Sequence, residues 1–365
     1  MPLMSAFLTL FTWIMVIIVL VSFLLWTIGM YFRKKQGSFL YFPSEPPNSR
    51  NMCASPADAG ILNFECVSIS TLDGQVLKGY LMWPYPPSSA FSTGNGKVSD
   101  ALSTKTFECG ATPPLAHDSS NSPNEMPPFV LLFFHGNSGN VGHRLAAAKL
   151  FLATLKCAVL MVDYRGYGLS SSAAVTQEGL EIDAQACLDF IKHDERLPQE
   201  SVYVMGTSLG AAVALHLAAK PRNARSISGV IVENTFTSIS DMVVILANSV
   251  IHLLRVPCPR FALLCFSYYV LPLTLHLKWE NIGILHKISA PMLFLSGLKD
   301  ELVPPEQMRL LYQAACAKNH KGNPLRRLVT FREGSHNDML LCDGYFQAIS
   351  DFVNDVEKSK ISDFI

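Results

Sequence analysis

The chain opens on an unbroken apolar run. Met1 to Phe32 carries no charged side chain, and from Phe7 to Tyr31 nearly every position is apolar. Coiled as a helix, such a run crosses about 30 Å of hydrocarbon. Cleaved signal peptides have a shorter apolar region, a basic start and a small-residue cleavage site. Here the start is Met-Pro-Leu-Met-Ser-Ala, and Trp26 and Tyr31 stand near the end of the run, as interface anchors do. The pattern predicts an uncleaved single-pass membrane anchor, with residues 1–35 as the anchor and its basic flank. Arg33, Lys34 and Lys35 follow the span, and only the amino terminus is positive before it. That charge bias favours a cytosolic location for the remainder.

Beyond residue 35 the period changes. Ile61–Ser70 and Val76–Trp83 read as strands joined by a turn at Asp73-Gly74. Residues 84–128 are rich in Ser, Pro, Gly, Asn and Thr without periodicity, the composition of a flexible polar insertion. Short apolar runs then alternate with helical patterns. Phe129–Phe134, Ala158–Val162, Val202–Met205, Gly229–Val232, Met292–Leu295 and Leu328–Phe331 suit buried strands. Between them Gly142–Leu155, Glu181–His193 and Ala211–Ala219 suit helices. This alternation predicts an α/β domain over 36–365, with a mostly parallel eight-stranded sheet flanked by helices. Met242–Leu277 breaks the rhythm, being strongly apolar but interrupted by His252, Arg255, Pro257, Pro259, Arg260 and Pro272. A second span would break helices at membrane depth, so 237–285 is expected to form a helical lid.

Composition narrows the partners. Lys+Arg and Asp+Glu each number 29, and no basic stripe interleaved with aromatics occurs, so nucleic acid is not an expected partner. The nine cysteines include no CxxC pair and none at zinc-ligand spacing from a His. Cys157, Cys187 and Cys265 sit in apolar runs and read as core residues of a reducing compartment. The exception, if that part faces a lumen, is one disulfide among Cys53, Cys66 and Cys109.

The chemistry concentrates at the strand ends. Val202–Met205 runs into Gly206-Thr207-Ser208-Leu209-Gly210 and then a helix of small residues. GxSxG alone is common; between a buried strand and a helix it marks a nucleophile elbow, the glycines leaving room for an exposed serine hydroxyl. A serine needs a base, itself oriented by an acid, and in this arrangement the acid precedes the His along the chain. Asp300 follows Met292–Leu295 and His336 follows Leu328–Phe331, which fills both places. Glu233 is the rival acid, expected to be structural, and Glu301 and Asp338 neighbour the chosen groups. The oxyanion hole requires two backbone N–H groups, expected from Leu209 and from Asn137 in the loop His135-Gly136-Asn137-Ser138-Gly139-Asn140. His135 is expected to support that loop. Asp163, Tyr164, Arg165 and Tyr167 are expected to brace the sheet edge, with Arg165 paired to a carboxylate. No metal or organic cofactor is implied.

These motifs resemble the alpha/beta hydrolase domain-containing protein 13 family and its relatives. The resemblance rests on 133–140, Val-Asp-Tyr-Arg-Gly-Tyr-Gly-Leu-Ser (162–170), Gly-Thr-Ser-Leu-Gly (206–210), Val-Glu-Asn-Thr-Phe (232–236), Ser-Gly-Leu-Lys-Asp (296–300) and Gly-Ser-His-Asn-Asp (334–338). It covers about Phe64 to Val356 and the N-terminal span. It implies an alpha/beta-hydrolase fold and a membrane-anchored serine hydrolase with Ser208, Asp300 and His336 in the triad positions. Lipid esterases and protein depalmitoylases among the relatives make an acyl ester or acylated protein the expected substrate and the lipid bilayer the expected partner. Family precedent puts the catalytic domain on the side opposite to the one the charges favour. The chain departs from the family in its longer 84–128 insertion, in Ala211 where a glycine is common and in Thr207 where a larger basic residue is common. A serine peptidase of the same fold and a non-catalytic binding protein are the alternative readings.

Overall fold

The computed structural model describes residues 2–84, 126–253, 275, 277–317 and 324–362. The expected 84–128 insertion therefore lies almost wholly outside the described residues, as do 254–274 and 276 of the expected lid. The chain forms two compact units, one of Met1–Tyr41 with Ser238–Trp279 and one of Phe42–Thr237 with Glu280–Ile365. Where the sequence suggests a boundary near residue 35 and a lid belonging to the α/β domain, compactness groups 238–279 with the N-terminal helix.

In the larger unit all eight expected strands are present, with small shifts at their ends. They are β1 (Phe64–Ser70), β2 (Val76–Met82), β3 (Val130–Phe134), β4 (Ala158–Val162), β5 (Val202–Thr207), β6 (Gly229–Glu233), β7 (Met292–Gly297) and β8 (Arg326–Phe331). They form one sheet in the order β1-β2-β4-β3-β5-β6-β7-β8. β1, β2 and β4 pair antiparallel, and β4 through β8 run parallel. Parallel strands are covered on both faces, which is why Val130–Phe134 and Ala158–Val162 are apolar throughout and buried at every position. Burying each such Val, Leu or Phe side chain contributes roughly 1.5–3 kcal/mol. The edge strand β1 alternates instead, with Val67 and Ile69 buried between exposed neighbours.

Helices α2 (Leu145–Leu155) and α7 (Tyr345–Ser362) cover one face of the sheet; α3 (Gln177–His193), α4 (Leu209–Ala218) and α6 (Pro305–Cys316) cover the other. Thr176 caps α3, its hydroxyl accepting the Gly179 N–H at 3.0 Å. Cys157 and Cys187 are fully buried, as their apolar runs predict. Cys53 and Cys66 form no disulfide with each other. The strand order reverses around β3, whose neighbours are β4 and β5, and at such a reversal the loops beyond the carboxyl ends of the strands open a crevice.

In the smaller unit α1 (Pro2–Leu40) runs past the expected end of the span, through Arg33, Lys34 and Lys35, because these residues favour helix as well as the apolar ones do. Among the described residues it is the helix long and apolar enough to cross a membrane, and Phe11, Trp13, Leu20 and Phe23 on it are exposed. The chain after it is tied back by the Leu277 N–H to Gln36 Oε1 at 3.2 Å and by buried Trp279, whose Nε1–H donates to the Tyr41 hydroxyl at 3.0 Å. The same unit contains α5 (Ile239–Leu253).

Candidate active site

Strand register brings the functional segments to one edge. Phe134 pairs with Gly206, Thr207 with Glu233, Glu233 with Leu295, and Gly297 with Phe331. The residues that follow each strand therefore emerge side by side. Ser208 sits at φ +55° and ψ −118°, a conformation costing a non-glycine residue about 1–3 kcal/mol. The strain is imposed by close packing. A Cβ on Gly206 would lie 2.1 Å from the Gly210 carbonyl oxygen, and one on Gly210 would lie 2.0 Å from that of Phe134. The Ser208 backbone is pinned at both ends, its N–H donating to the Glu233 carbonyl at 2.9 Å and its carbonyl accepting the Thr235 hydroxyl at 2.8 Å. Leu209 opens α4, so its N–H has no acceptor within the helix.

The 135–140 loop lies alongside, where a Cβ on Gly136 would come 4.0 Å from the Ser208 Cβ. The Asn137 carbonyl accepts from the Tyr167 hydroxyl and from the Phe42 N–H, each at 2.9 Å. Tyr164 donates to the His135 carbonyl at 2.8 Å. Buried His135 is 2.7 Å through Nδ1 from the Gly136 carbonyl, an acceptor, so Nδ1 carries the proton. That carbonyl shares a planar peptide with the Asn137 N–H, and the ring therefore helps to set the direction of this donor. Burial holds the imidazole neutral, its pKa down to about 3. His135 thus supports the loop that carries Asn137.

Asp300 and His336 meet. His336 Nδ1 is 2.7 Å from Asp300 Oδ2, and both side chains are buried. Asp300 Oδ1 accepts the N–H groups of Leu302 and Val303 at 2.9 and 2.8 Å. The carboxylate can only accept, so Nδ1 bears the proton and Nε2 keeps its lone pair. The rival acids are engaged elsewhere. Glu233 is buried, takes the hydroxyls of Tyr345 and, at 3.3 Å, Thr207, and is pushed up to about 7 by burial. Asp338 accepts the Ser335 N–H at 2.7 Å, and Glu301 is exposed. Arg165 is paired as expected, its guanidinium reaching Asp73 and Asp183 at 2.6–2.9 Å.

One residue escaped the sequence reasoning. Asn234, buried at φ +44°, donates through Nδ2 to the carbonyls of Ser335 at 3.0 Å and His336 at 3.4 Å, and its Oδ1 accepts the Gly297 N–H at 2.9 Å. An asparagine directly after a buried strand is the available signal, since Asn tolerates left-handed backbone better than most residues. Among the described residues no three His, Cys, Asp or Glu side chains gather as a metal site.

A family model described as "alpha/beta hydrolase fold" matches residues 130–256. Protein bem46 of Schizosaccharomyces pombe is 33% identical over 336 residues, 90% of each chain. A Saccharomyces cerevisiae relative, "Uncharacterized membrane protein YNL320W", is 35% identical over 65% of this chain and 74% of its own. Lysophosphatidylserine lipase ABHD12 of Macaca fascicularis is 32% identical over 51% of this chain and 45% of its own.

Proposed function

The chain belongs to the alpha/beta hydrolase family, and from that premise we propose that it is a membrane-anchored serine hydrolase cleaving acyl esters or thioesters. The observation that carries the reading is the 2.7 Å His336–Asp300 pair, on the sheet edge where the strained Ser208 turn emerges. In this mechanism His336 Nε2 takes the Ser208 proton as Oγ attacks the substrate carbonyl. The developing oxyanion is met by the N–H groups of Asn137 and Leu209, each such donor worth about 10²–10³ in turnover. His336 then protonates the leaving alcohol or thiol, and water repeats the sequence on the acyl-enzyme. Asp300 keeps the imidazole in the required tautomer and stabilises its cationic form. A lipase among the relatives supports an acyl ester of lipid type, and an acylated protein is the thioester counterpart.

The exposed apolar surface of α1 supports the bilayer as a partner, as does a relative named a membrane protein. Arg33, Lys34 and Lys35 support a cytosolic catalytic unit. Protease protection of intact vesicles checks this topology, and digestion of the catalytic unit only after permeabilisation reverses it.

Labelling by a fluorophosphonate probe tests the enzymatic reading. Wild type is expected to label and Ser208→Ala not to; a folded wild type that stays unlabelled leaves the binding-protein alternative. Turnover of peptides in preference to esters and thioesters would move the activity to the peptidase class.

A further inference from the structure

The chain enters the larger unit at Phe42, two residues after α1 ends at Leu40, and the segment 42–52 runs mostly as turns. It is fastened to the 135–140 loop and to the neighbouring loop after β4. Phe42 forms a parallel bridge with Ser138, and its N–H donates to the Asn137 carbonyl at 2.9 Å. Asn140 is fully buried and donates through Nδ2 to the carbonyls of Ser49 and Met52, each at 2.8 Å. An asparagine amide has two protons, so both are given to this segment. Arg50 donates through Nη2 to the Ser170 carbonyl at 3.2 Å and the Ser172 hydroxyl at 2.8 Å. The turn after the loop is packed as tightly, since a Cβ on Gly142 would lie 2.5 Å from the Ala54 backbone nitrogen.

These fastenings bear on the backbone amide that the mechanism takes from this loop. The peptide before Asn137 is planar and carries both the Asn137 N–H and the Gly136 carbonyl held by His135. The peptide after it carries the Asn137 carbonyl, which accepts from the Tyr167 hydroxyl and the Phe42 N–H. With both flanking planes held, the φ and ψ of Asn137 have little freedom to turn its N–H away. Tyr167 itself stands on the loop that Arg50 reaches. An exposed connection would satisfy its carbonyls with water and would need none of these bonds, whereas a buried carbonyl deprived of its donor is costly. We propose that the segment 42–52 is a positioning element of the active site, holding the Asn137 N–H where the oxyanion forms, with Asn140 as the residue that locks it in place. This rests on the hydrolase reading above.

The test uses the full chain in detergent micelles, with turnover of a model ester counted per Ser208 titrated by a fluorophosphonate. A trifluoromethyl ketone of the same acyl chain is the second probe, because its adduct with Ser208 carries an oxyanion. Losing an oxyanion donor costs about 10²–10³ in turnover, and displacing one is expected to cost about 10–10². Asn140→Ala is expected to lower kcat by about 10–10² with KM nearly unchanged, and to weaken inhibition by the ketone in step. Phe42→Pro removes the N–H given to Asn137 and is expected to turn over about fivefold or more slowly than Phe42→Ala, which keeps it. If Asn140→Ala fails to fold, the Phe42 pair decides alone. Wild-type kcat per titrated site in folded Asn140→Ala, or equal kcat in the two Phe42 variants, would overturn the inference while leaving the hydrolase reading intact. A fall in kcat without a matching loss of ketone affinity would also overturn it, since the damage would then lie away from the oxyanion. Absence of labelling in folded wild type removes the hydrolase reading, and the inference falls with it.

Discussion

The Asn234 side chain holds Ser335, donating from Nδ2 to its carbonyl at 3.0 Å directly before His336. Through Oδ1 the same amide accepts the N–H of Gly297, the last residue of β7, three residues before Asp300. One buried side chain thus fixes the separation of the two loops whose ends form the His336–Asp300 pair. Its neighbours Glu233 and Thr235 pin the Ser208 backbone.

Asn234→Gly tolerates the positive φ and removes both links. Turnover of a model ester is expected to fall about 10–10²-fold with KM nearly unchanged, because small misplacements of reacting groups are costly. Steady-state kinetics with a Tm measurement check this. A lower Tm without loss of kcat would reduce Asn234 to a purely stabilising residue.

The two buried acids are expected to separate sharply. Asp300→Asn lets the imidazole adopt the wrong tautomer and is expected to lower kcat by about 10⁴. Glu233→Gln, which disturbs bonds to Tyr345 and Thr207 and none to the His336 ring, is expected to cost far less. The opposite ranking would transfer the orienting role to Glu233.

Gly210→Ala is expected to destabilise the larger unit by about 3 kcal/mol or more, the upper range for overpacking. Its Cβ would meet the Phe134 carbonyl at 2.0 Å, and both partners are backbone held in rigid elements. Thermal unfolding measures the change, and a Tm equal to wild type would contradict the packing seen at the elbow.

Stability is expected to depend on pH through buried acids. Burial raises Glu233 from 4.5 to about 7 and Asp163 from 3.8 to about 7. Each is protonated in the folded chain where the unfolded chain has lost its proton, so the stability each contributes declines as pH rises toward 7. His135, lowered from 6.5 to about 3, acts in the opposite sense between those values. Glu233→Gln is therefore expected to lessen the fall of unfolding free energy between about pH 4.5 and 7. Urea denaturation across that range checks it, and an unaltered slope would mean that Glu233 ionises normally.

Much of this was legible before any coordinates. Buried parallel strands must be apolar at every position, so runs such as Val130–Phe134 announce themselves, and their order with the helices limits the sheet to few topologies. The small residues around Ser208 were equally legible, because the clash that excludes a Cβ at Gly206 and Gly210 is local. Asp300 and His336 could be chosen by their places after strand ends, although nothing in the order of residues measures a distance between them.

Only the tertiary structure decided what depends on meetings between distant segments. Strand register set Gly297 beside Phe331 and so delivered the loops after them to the same place. The amide of Asn234 found partners at the end of β7 and on the loop after β8, far along the chain, which no local pattern encodes. The grouping of 238–279 with the N-terminal helix follows from contacts such as Trp279 with Tyr41. Local sterics and periodicity are written in neighbouring residues; hydrogen bonds across long sequence separations come into existence only when the chain has folded around them.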